Sequence, residues 1–190
     1  GYAPYKHIYM QSLEGRRERT IVCNSLSKTY SITGWRLGYV IANPQIIDRV
    51  KKVHDFLTVG AAAPLMEAAV VGLEFGDGYY DELAAHYAHM KEVFVGGLKK
   101  LGLKYTDPQG AYYVLVDVSE FGVKDDVKFC EWMAQFVGVA AVPGSSFFRE
   151  DVHNLVRFHF AKQDDTLNEA IKRLATLKEK AINAKNVDWR

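Results

Sequence analysis

The chain has 190 residues, of which 48% are hydrophobic, and its 24 Lys and Arg residues against 23 Asp and Glu residues give a net charge of +1. This length and apolar content suit one large domain or two small ones with a buried core. The near-neutral charge and the lack of a basic run argue against nucleic acid or an anionic membrane surface as the main partner. The longest uncharged stretch, residues 132–148, contains polar residues, glycine and proline, so it predicts no transmembrane helix.

The cysteine content favours a reducing compartment. Cys23 and Cys130 lie far apart in the chain, and two such cysteines form neither a disulfide framework nor a metal clamp. The first ten residues do not read as a secretory signal, because Pro4, Lys6 and His7 interrupt their apolar residues. We therefore expect a cytoplasmic location and no metal site.

Two short apolar runs in the first third, residues 20–24 and 37–41, predict buried strands joined by a polar loop. Asn43 and Pro44 then form a helix start, with a capping side chain before a proline at the first helical position. Apolar residues between 46 and 57 recur at helical spacing. A second helix is predicted from about Pro64 to the glycines at 76 and 78.

A third, long helix is predicted over residues 79–101, with Gly102 as its left-handed C-terminal residue. After it the periodicity predicts strands at 112–117, 139–142 and 155–161, a helix at 125–137, and a last helix that begins near 164–166 and reaches Leu177. Thr166 and Glu169 have capping-box spacing at the start of that last helix.

The alternation of strands and helices predicts an α/β fold with two parts. Residues 1–85 resemble the end of a large domain, because two strands alone cannot cover their own edges. Residues 86–190 contain enough elements for a small α/β domain of their own. We therefore expect an incomplete large domain with a mostly parallel sheet, joined by the long helix to a small C-terminal α/β domain.

The loop between the first two strands carries the side chains that are able to bind a ligand or take part in catalysis. Lys28 follows a predicted buried strand, and the carboxyl ends of strands in open α/β sheets are where ligands bind. Partial desolvation and a neighbouring cation would make its amine a better nucleophile. Arg36 offers a planar fork of donors and Ser25 a hydroxyl, both of which suit a phosphate group. An amine next to a phosphate cradle is what a phosphorylated aldehyde cofactor requires.

Two other interpretations of this loop exist. A hydroxyl-rich loop with a lysine and an arginine is also typical of a solvated connection. The spacing of Ser25 and Lys28 matches the nucleophile motif of penicillin-binding proteins and β-lactamases. Those enzymes also need Ser-Asp-Asn and Lys-Thr-Gly, and the sequence contains neither tripeptide. The β-lactamase interpretation is therefore excluded.

The complete string over residues 25–39 is much more specific than its parts. Its Ser-x-Ser-Lys followed by Gly-Trp-Arg-x-Gly-Tyr resembles the Schiff-base lysine segment of class I/II aminotransferases, pyridoxal-phosphate enzymes of fold type I like aspartate aminotransferase. The resemblance continues in the family's order through five further segments, at residues 43–44, 61–64, 108–113, 142–145 and 156–161. It covers essentially the whole chain.

The resemblance implies roles for particular residues. Lys28 would form the Schiff base with pyridoxal 5'-phosphate and move the substrate α-proton, while Arg36 and Ser25 would bind the cofactor phosphate. Gly34 and Gly38 would let the backbone turn and approach closely. Arg157 would bind the substrate α-carboxylate.

Some of these residues have simpler interpretations. An arginine that alternates with apolar residues on a strand, as Arg157 does, is often a surface or ion-pair residue. His86 and His89 are spaced for one helix face, but no third metal ligand is close in sequence, so structural roles are expected. For Tyr112 and Tyr113, core packing is expected over closing a cleft.

The resemblance predicts an enzyme that transfers an amino group from an α-amino acid to a 2-oxo acid and acts as a homodimer. The family's remaining cofactor ligands, including the acid that pairs with the pyridine nitrogen, would precede Gly1, so we expect the chain alone to be inactive. Two alternatives stay open. One is a β-lyase or synthase on the same fold, and the other is the effector domain of an aminotransferase-like transcription regulator. The identity of the amino acid is not determined.

Overall fold

The computed structural model describes all residues from Gly1 to Arg190. The chain divides into two compact units. One contains residues 7–80, and the other contains residues 1–6 together with 81–190. None of the helices has both the length and the apolar character needed to cross a membrane. The assignment of residues 1–85 and 86–190 to two functional domains stays a prediction.

The unit of residues 7–80 contains one antiparallel pair of strands and two helices. Ser25 lies opposite Gly38 in the strand register, and a small core of Leu26, Leu37 and Ala69 packs beside the strands. The expectation of buried strands was wrong for this unit, because most of the strand residues are exposed. A two-stranded ribbon has no further strand to cover its faces. The elements are β1 (Val22–Ser25), β2 (Gly38–Ile41), α1 (Pro44–Thr58) and α2 (Ala63–Leu73).

The start of α1 is as predicted. The Asn43 side chain accepts a hydrogen bond from the backbone N–H of Ile46 at 3.0 Å, and Pro44 occupies the first turn. The apolar residues of this helix are largely exposed, with Phe56 at 92%. Periodicity therefore predicted the helix correctly, but no partner for its apolar stripe lies within the unit.

Helix α3 (Asp77–Lys100) is continuous from the last residues of one unit into the other. It begins two residues before the predicted start and passes through Gly78. Gly102 follows it with a φ of +65°, the left-handed conformation predicted for this position. The backbone N–H of Gly102 donates to the carbonyl of Lys99 at 3.0 Å, which closes the last turn.

The second unit is built on a four-stranded antiparallel sheet with the order β3-β4-β6-β5. Its core lies between this sheet and helices that include α3, and its fully buried side chains include Phe129, Phe160 and Leu98. None of the strand pairings in the chain is parallel, so the mostly parallel sheet implied by the resemblance is not represented among these strands. The elements are β3 (Lys104–Tyr105), β4 (Tyr113–Asp117), α4 (Asp126–Phe136), β5 (Val142–Pro143), β6 (Leu155–His159), α5 (Asp164–Leu174) and α6 (Leu177–Asn183).

Four details of this unit differ from the predictions. Strand β3 was not predicted, and β5 is shorter than residues 139–142 suggested. The last predicted helix is two helices, α5 and α6, separated at Ala175 and Thr176. The expected capping box is absent, since Gln163 precedes α5 and Thr166 lies inside it.

The last two residues of the chain are tied into this unit. Trp189 is fully buried, with its ring 5.1 Å from that of Phe129, and its carbonyl accepts the backbone N–H groups of Lys124 and Asp125. The Arg190 guanidinium donates to three backbone carbonyls. The carboxyl end of the chain therefore supports the start of α4.

Candidate functional site

The loop that carries Lys28 is anchored at both ends by the small core of its unit. Leu26 and Leu37 are buried, and the backbone N–H of Leu26 donates to the carbonyl of Leu37 at 3.1 Å. Within the loop, the N–H of Ile32 donates to the carbonyl of Ser27 at 2.9 Å. These bonds fold the ten residues between the two leucines into a compact turn directly after β1.

Thr33 links the two predicted cationic groups of the loop. The Lys28 Nζ donates to the Thr33 hydroxyl at 3.2 Å, and the Nη1 of Arg36 donates to the Thr33 carbonyl at 2.8 Å. The backbone of Arg36 is left-handed, with a φ of +57°. An amine and a guanidinium are thus hydrogen-bonded to a single threonine, one through its side chain and the other through its backbone.

Ser25 lies at the start of the same loop and is hydrogen-bonded to a second serine. Its hydroxyl donates to the Ser27 hydroxyl at 2.8 Å and accepts the backbone N–H of Ser27 at 3.1 Å. A serine hydroxyl can rotate to donate elsewhere when a better acceptor is present. Ser25 is exposed while Ser27 is buried, so Ser25 is the one of the two that can reach a ligand.

The predicted desolvation of Lys28 is not observed, because both Lys28 and Arg36 are exposed in this chain. The physical reason is the exposure of β1 and β2, which leaves one side of the loop uncovered. Neither cation forms an ion pair with an acidic residue of the chain. Both positive charges are therefore available to an anionic ligand.

The two glycines of the motif have different surroundings. A Cβ on Gly38 would lie 2.5 Å from the backbone oxygen of Asn24, so the close approach of β2 to β1 requires glycine there. A Cβ on Gly34 would have nothing within 4 Å, and Gly34 does not have a positive φ. The expectation that both glycines serve close backbone approach is therefore wrong for Gly34.

Arg157 lies in the other unit, on the central part of β6. Its strand neighbours Val156 and Phe158 are buried and Arg157 is not, as the alternation predicted. Its guanidinium carbon lies 3.7 Å from the ring centre of Phe147 and 4.2 Å from that of Tyr113, so it is held between two aromatic faces. It forms no ion pair in the chain. Stacking of this kind leaves the edges of the guanidinium free to bind a planar anion.

The surroundings of Arg157 carry positive charge. Burial, Lys162 and Arg157 together lower the pKa of His159, which keeps this histidine neutral at pH 7. A cavity of about 750 Å³ includes Arg157, His159 and Lys162 among its lining residues. Its lining also includes Arg173 and the acidic Asp165 and Glu169, so the basic side chains outnumber the acidic ones by three to two, and the cavity has space for a carboxylate.

The sequence did not single out Thr33 or Phe147, although both contact predicted site residues. Thr33 belongs to the hydroxyl-rich stretch, and its spacing of five residues from Lys28 could have marked it as a partner. Phe147 reaches Arg157 from another segment of the chain, and no local pattern indicates that contact. His89 forms an ion pair with Asp164 at 2.8 Å, and this contact raises the pKa of His89.

Comparison with known proteins gives consistent matches. A sequence model of the aminotransferase class I and II family matches residues 3–174. The methionine aminotransferase of Escherichia coli is 37% identical over 162 residues, which cover 85% of this chain and 42% of that protein. A probable N-succinyldiaminopimelate aminotransferase of Mycobacterium tuberculosis is 32% identical over 185 residues, which cover 92% of this chain and 47% of the relative.

Solved structures agree with these matches. The N-succinyldiaminopimelate aminotransferase of Mycobacterium tuberculosis superimposes with a TM-score of 0.85 at 31% identity, over 93% of this chain and 46% of that one. An aromatic aminotransferase from Pyrococcus horikoshii gives a TM-score of 0.85 at 31% identity, over 95% of this chain and 49% of that one. The predicted α/β fold is confirmed, and the chain spans about half the length of the relatives that it matches.

Proposed function

Because the chain belongs to the aminotransferase class I and II family, whose members depend on pyridoxal phosphate, we propose that it supplies the lysine-bearing C-terminal part of an aminotransferase. The reaction is the transfer of an amino group from an α-amino acid to a 2-oxo acid. The observation that carries this proposal is the arrangement around Thr33, where the Lys28 amine and the Arg36 guanidinium are held on one loop with no acidic partner.

The residues of the loop fit the chemistry of pyridoxal phosphate. An aldehyde needs a primary amine to bind it covalently, and Lys28 supplies one at an accessible position. A phosphate needs several donors and positive charge, which Arg36 and the hydroxyl of Ser25 supply. The donor groups required for both ends of the cofactor are thus present within twelve residues of sequence.

When bound, pyridoxal phosphate acts as an electron sink that stabilises the carbanion formed at the substrate α-carbon. The role of Lys28 is to bind the aldehyde and then, as a free amine, to take the α-proton at its Nζ atom. Thr33 orients this amine through its hydroxyl, which in turn donates to the Ser27 carbonyl at 3.3 Å. The amine is therefore held by a hydroxyl that is itself fixed by the backbone.

Arg157 is proposed to bind the α-carboxylate of the amino acid. Its guanidinium is oriented by the Phe147 and Tyr113 rings, and a bidentate pair with a carboxylate is a geometry that lysine cannot reproduce. Loss of such a contact in a desolvated cleft is expected to weaken substrate binding by about 2–5 kcal/mol.

The homodimer and the cytoplasmic location belong to the proposal as well. The resemblance to the family supports the first, and the two free cysteines support the second. The relatives described above carry aminotransferase names, which gives no support to a lyase or a transcription regulator. The donor amino acid is left open, because the α-carboxylate that Arg157 would bind is common to all amino acids.

The proposal is tested in the complete protein, with pyridoxal phosphate, 2-oxoglutarate and a panel of amino-acid donors. The Lys28→Ala variant is expected to lose the visible absorbance of covalently bound cofactor and to lower turnover by a factor of about 10²–10⁴ or more, because proton transfer loses its base. Lys52→Ala, an exposed lysine on α1, is the matched control and should behave as wild type.

Wild-type turnover in Lys28→Ala would refute the proposal. So would a wild-type protein that releases ammonia or a thiol instead of a new amino acid, since these are the products of a lyase.

A further inference from the structure

Asp126 is a carboxylate with no exposed surface, which is unusual for an ionisable side chain. It lies in the first turn of α4, yet it is not the cap of that helix. The cap is Asp125, whose side chain accepts the backbone N–H of Lys128 at 3.0 Å. The Asp126 carboxylate is therefore available for contacts outside the helix.

Those contacts go to two other segments. One Asp126 oxygen accepts the backbone N–H of Ser145 at 2.8 Å, and the other lies 3.1 Å from the Nδ1 of His153. Burial alone would raise the pKa of Asp126, but the N–H of Ser145 and the ring of His153 outweigh it, so the pKa lies below its ordinary value. The group stays charged at neutral pH, and a charged acceptor makes the hydrogen bond to Ser145 a strong one.

Ser145 belongs to the short turn Gly144–Phe147, which ends at the ring that covers Arg157. The turn is fixed at its beginning as well, because a Cβ on Gly144 would lie 2.5 Å from the backbone oxygen of Leu155 on β6. Phe147 lies in the same turn, two residues after Ser145. Phe147 is itself 48% exposed, so packing against a core does not hold it in place.

We propose that Asp126 is a positioning residue for substrate binding: it holds the 144–147 turn so that the Phe147 ring orients the guanidinium of Arg157. The inference rests on the proposed function, since it takes Arg157 as the group that binds the α-carboxylate. His153 is part of the same arrangement, because it contacts Asp126 through Nδ1 and Asp151 through Nε2, the latter at 2.8 Å.

The test uses Asp126→Asn in the complete protein. This change keeps the shape of the side chain and removes its charge. The matched control is Asp125→Asn, the same change one residue earlier, where asparagine caps a helix as well as aspartate does. Donor KM, turnover, cofactor affinity and the ¹⁹F resonance of 4-fluorophenylalanine at position 147 are measured in both variants.

For Asp126→Asn we expect a shifted or broadened ¹⁹F resonance and a rise in donor KM of about tenfold, the effect of weakening a hydrogen bond to a charged group. Cofactor affinity should stay within about twofold of wild type, because the hydrogen bonds of Asp126 go to Ser145 and His153 and not to the lysine loop. The Asp125→Asn control should match wild type in all four measurements. If Asp126 had only a structural role, Asp126→Asn would lower the stability of the protein, and donor KM and cofactor affinity would change together.

A double-mutant cycle sharpens the test. Phe147→Leu should raise KM by a similar factor, with Phe148→Leu as its control, and combining it with Asp126→Asn should add no further rise, because both changes act through one contact. If Asp126→Asn does not fold, the two phenylalanine variants decide the question alone. Equal KM values in Phe147→Leu and Phe148→Leu would then overturn the inference.

The outcomes separate the inference from the proposed function. A raised KM in Arg157→Lys with a wild-type KM and ¹⁹F resonance in Asp126→Asn overturns the inference and leaves the proposed function intact. An unchanged KM in Arg157→Lys overturns the inference together with the proposed role of Arg157, while transamination itself is decided separately by the Lys28→Ala variant.

Discussion

Replacing Gly38 by alanine is expected to damage the lysine loop, because the added methyl group has no space. The new Cβ would lie 2.5 Å from the backbone oxygen of Asn24 and 3.5 Å from the Cα of Ser25. The first distance is about 1 Å shorter than an ordinary van der Waals separation. Since the obstacle is backbone, strand β2 has to move away from β1, and overpacking of this kind costs about 1–3 kcal/mol.

Gly34→Ala is the matched control in the same loop, because its Cβ would have nothing within 4 Å. We expect it to change the free energy of unfolding by no more than about 0.5 kcal/mol. Urea unfolding of both variants measures the difference in stability, and absorbance titration with pyridoxal phosphate measures cofactor affinity. Gly38→Ala should also weaken cofactor binding, since Ser25 lies opposite Gly38 in the strand register. Equal stability and equal affinity in the two variants would refute the steric argument.

Two further predictions follow from the hydrogen bonds of the two units. Thr33→Val removes the hydroxyl that accepts from Lys28 while leaving the backbone contact to Arg36, so cofactor affinity should fall about fivefold in an absorbance titration; an unchanged affinity would contradict the role of Thr33. The contacts of His153 with Asp126 and Asp151 raise the pKa of His153 above 6.5. Its contribution to stability is therefore fully present below pH 6.5 and is lost as the pH rises through the raised value. Urea midpoints of wild type and His153→Gln should differ most near pH 6 and converge at high pH, and a constant difference would argue against this ion pair.

Features that depend on neighbours in sequence were predictable. Asn43 caps α1 because its side-chain oxygen accepts a backbone N–H in the first turn. Gly102 follows the end of α3 because glycine, which has no Cβ, adopts the left-handed conformation without strain. The lysine loop was predictable for another reason, since its motif combines many fixed positions. Lys28 and Arg36 could be placed on one loop from sequence, and the structure adds that Thr33 holds both.

Features that depend on distant segments were not predictable. The approach of Phe147 to Arg157 requires the register of β5 on β6, and the burial of Asp126 requires Ser145 and His153 to converge on it. Periodicity also cannot tell whether an apolar stripe has a partner, as the exposed Phe56 on α1 demonstrates. For the same reason the strand burial around Lys28 was overestimated, because hydrophobic composition alone does not reveal which faces are covered.

The anchoring of Trp189 and Arg190 makes the start of α4 depend on residues far away in sequence. The Trp189 carbonyl receives the N–H groups of Lys124 and Asp125, directly before the buried Asp126. A change that displaced Trp189 would therefore remove the backbone acceptor that holds the segment directly before this acid, which lies far away in sequence.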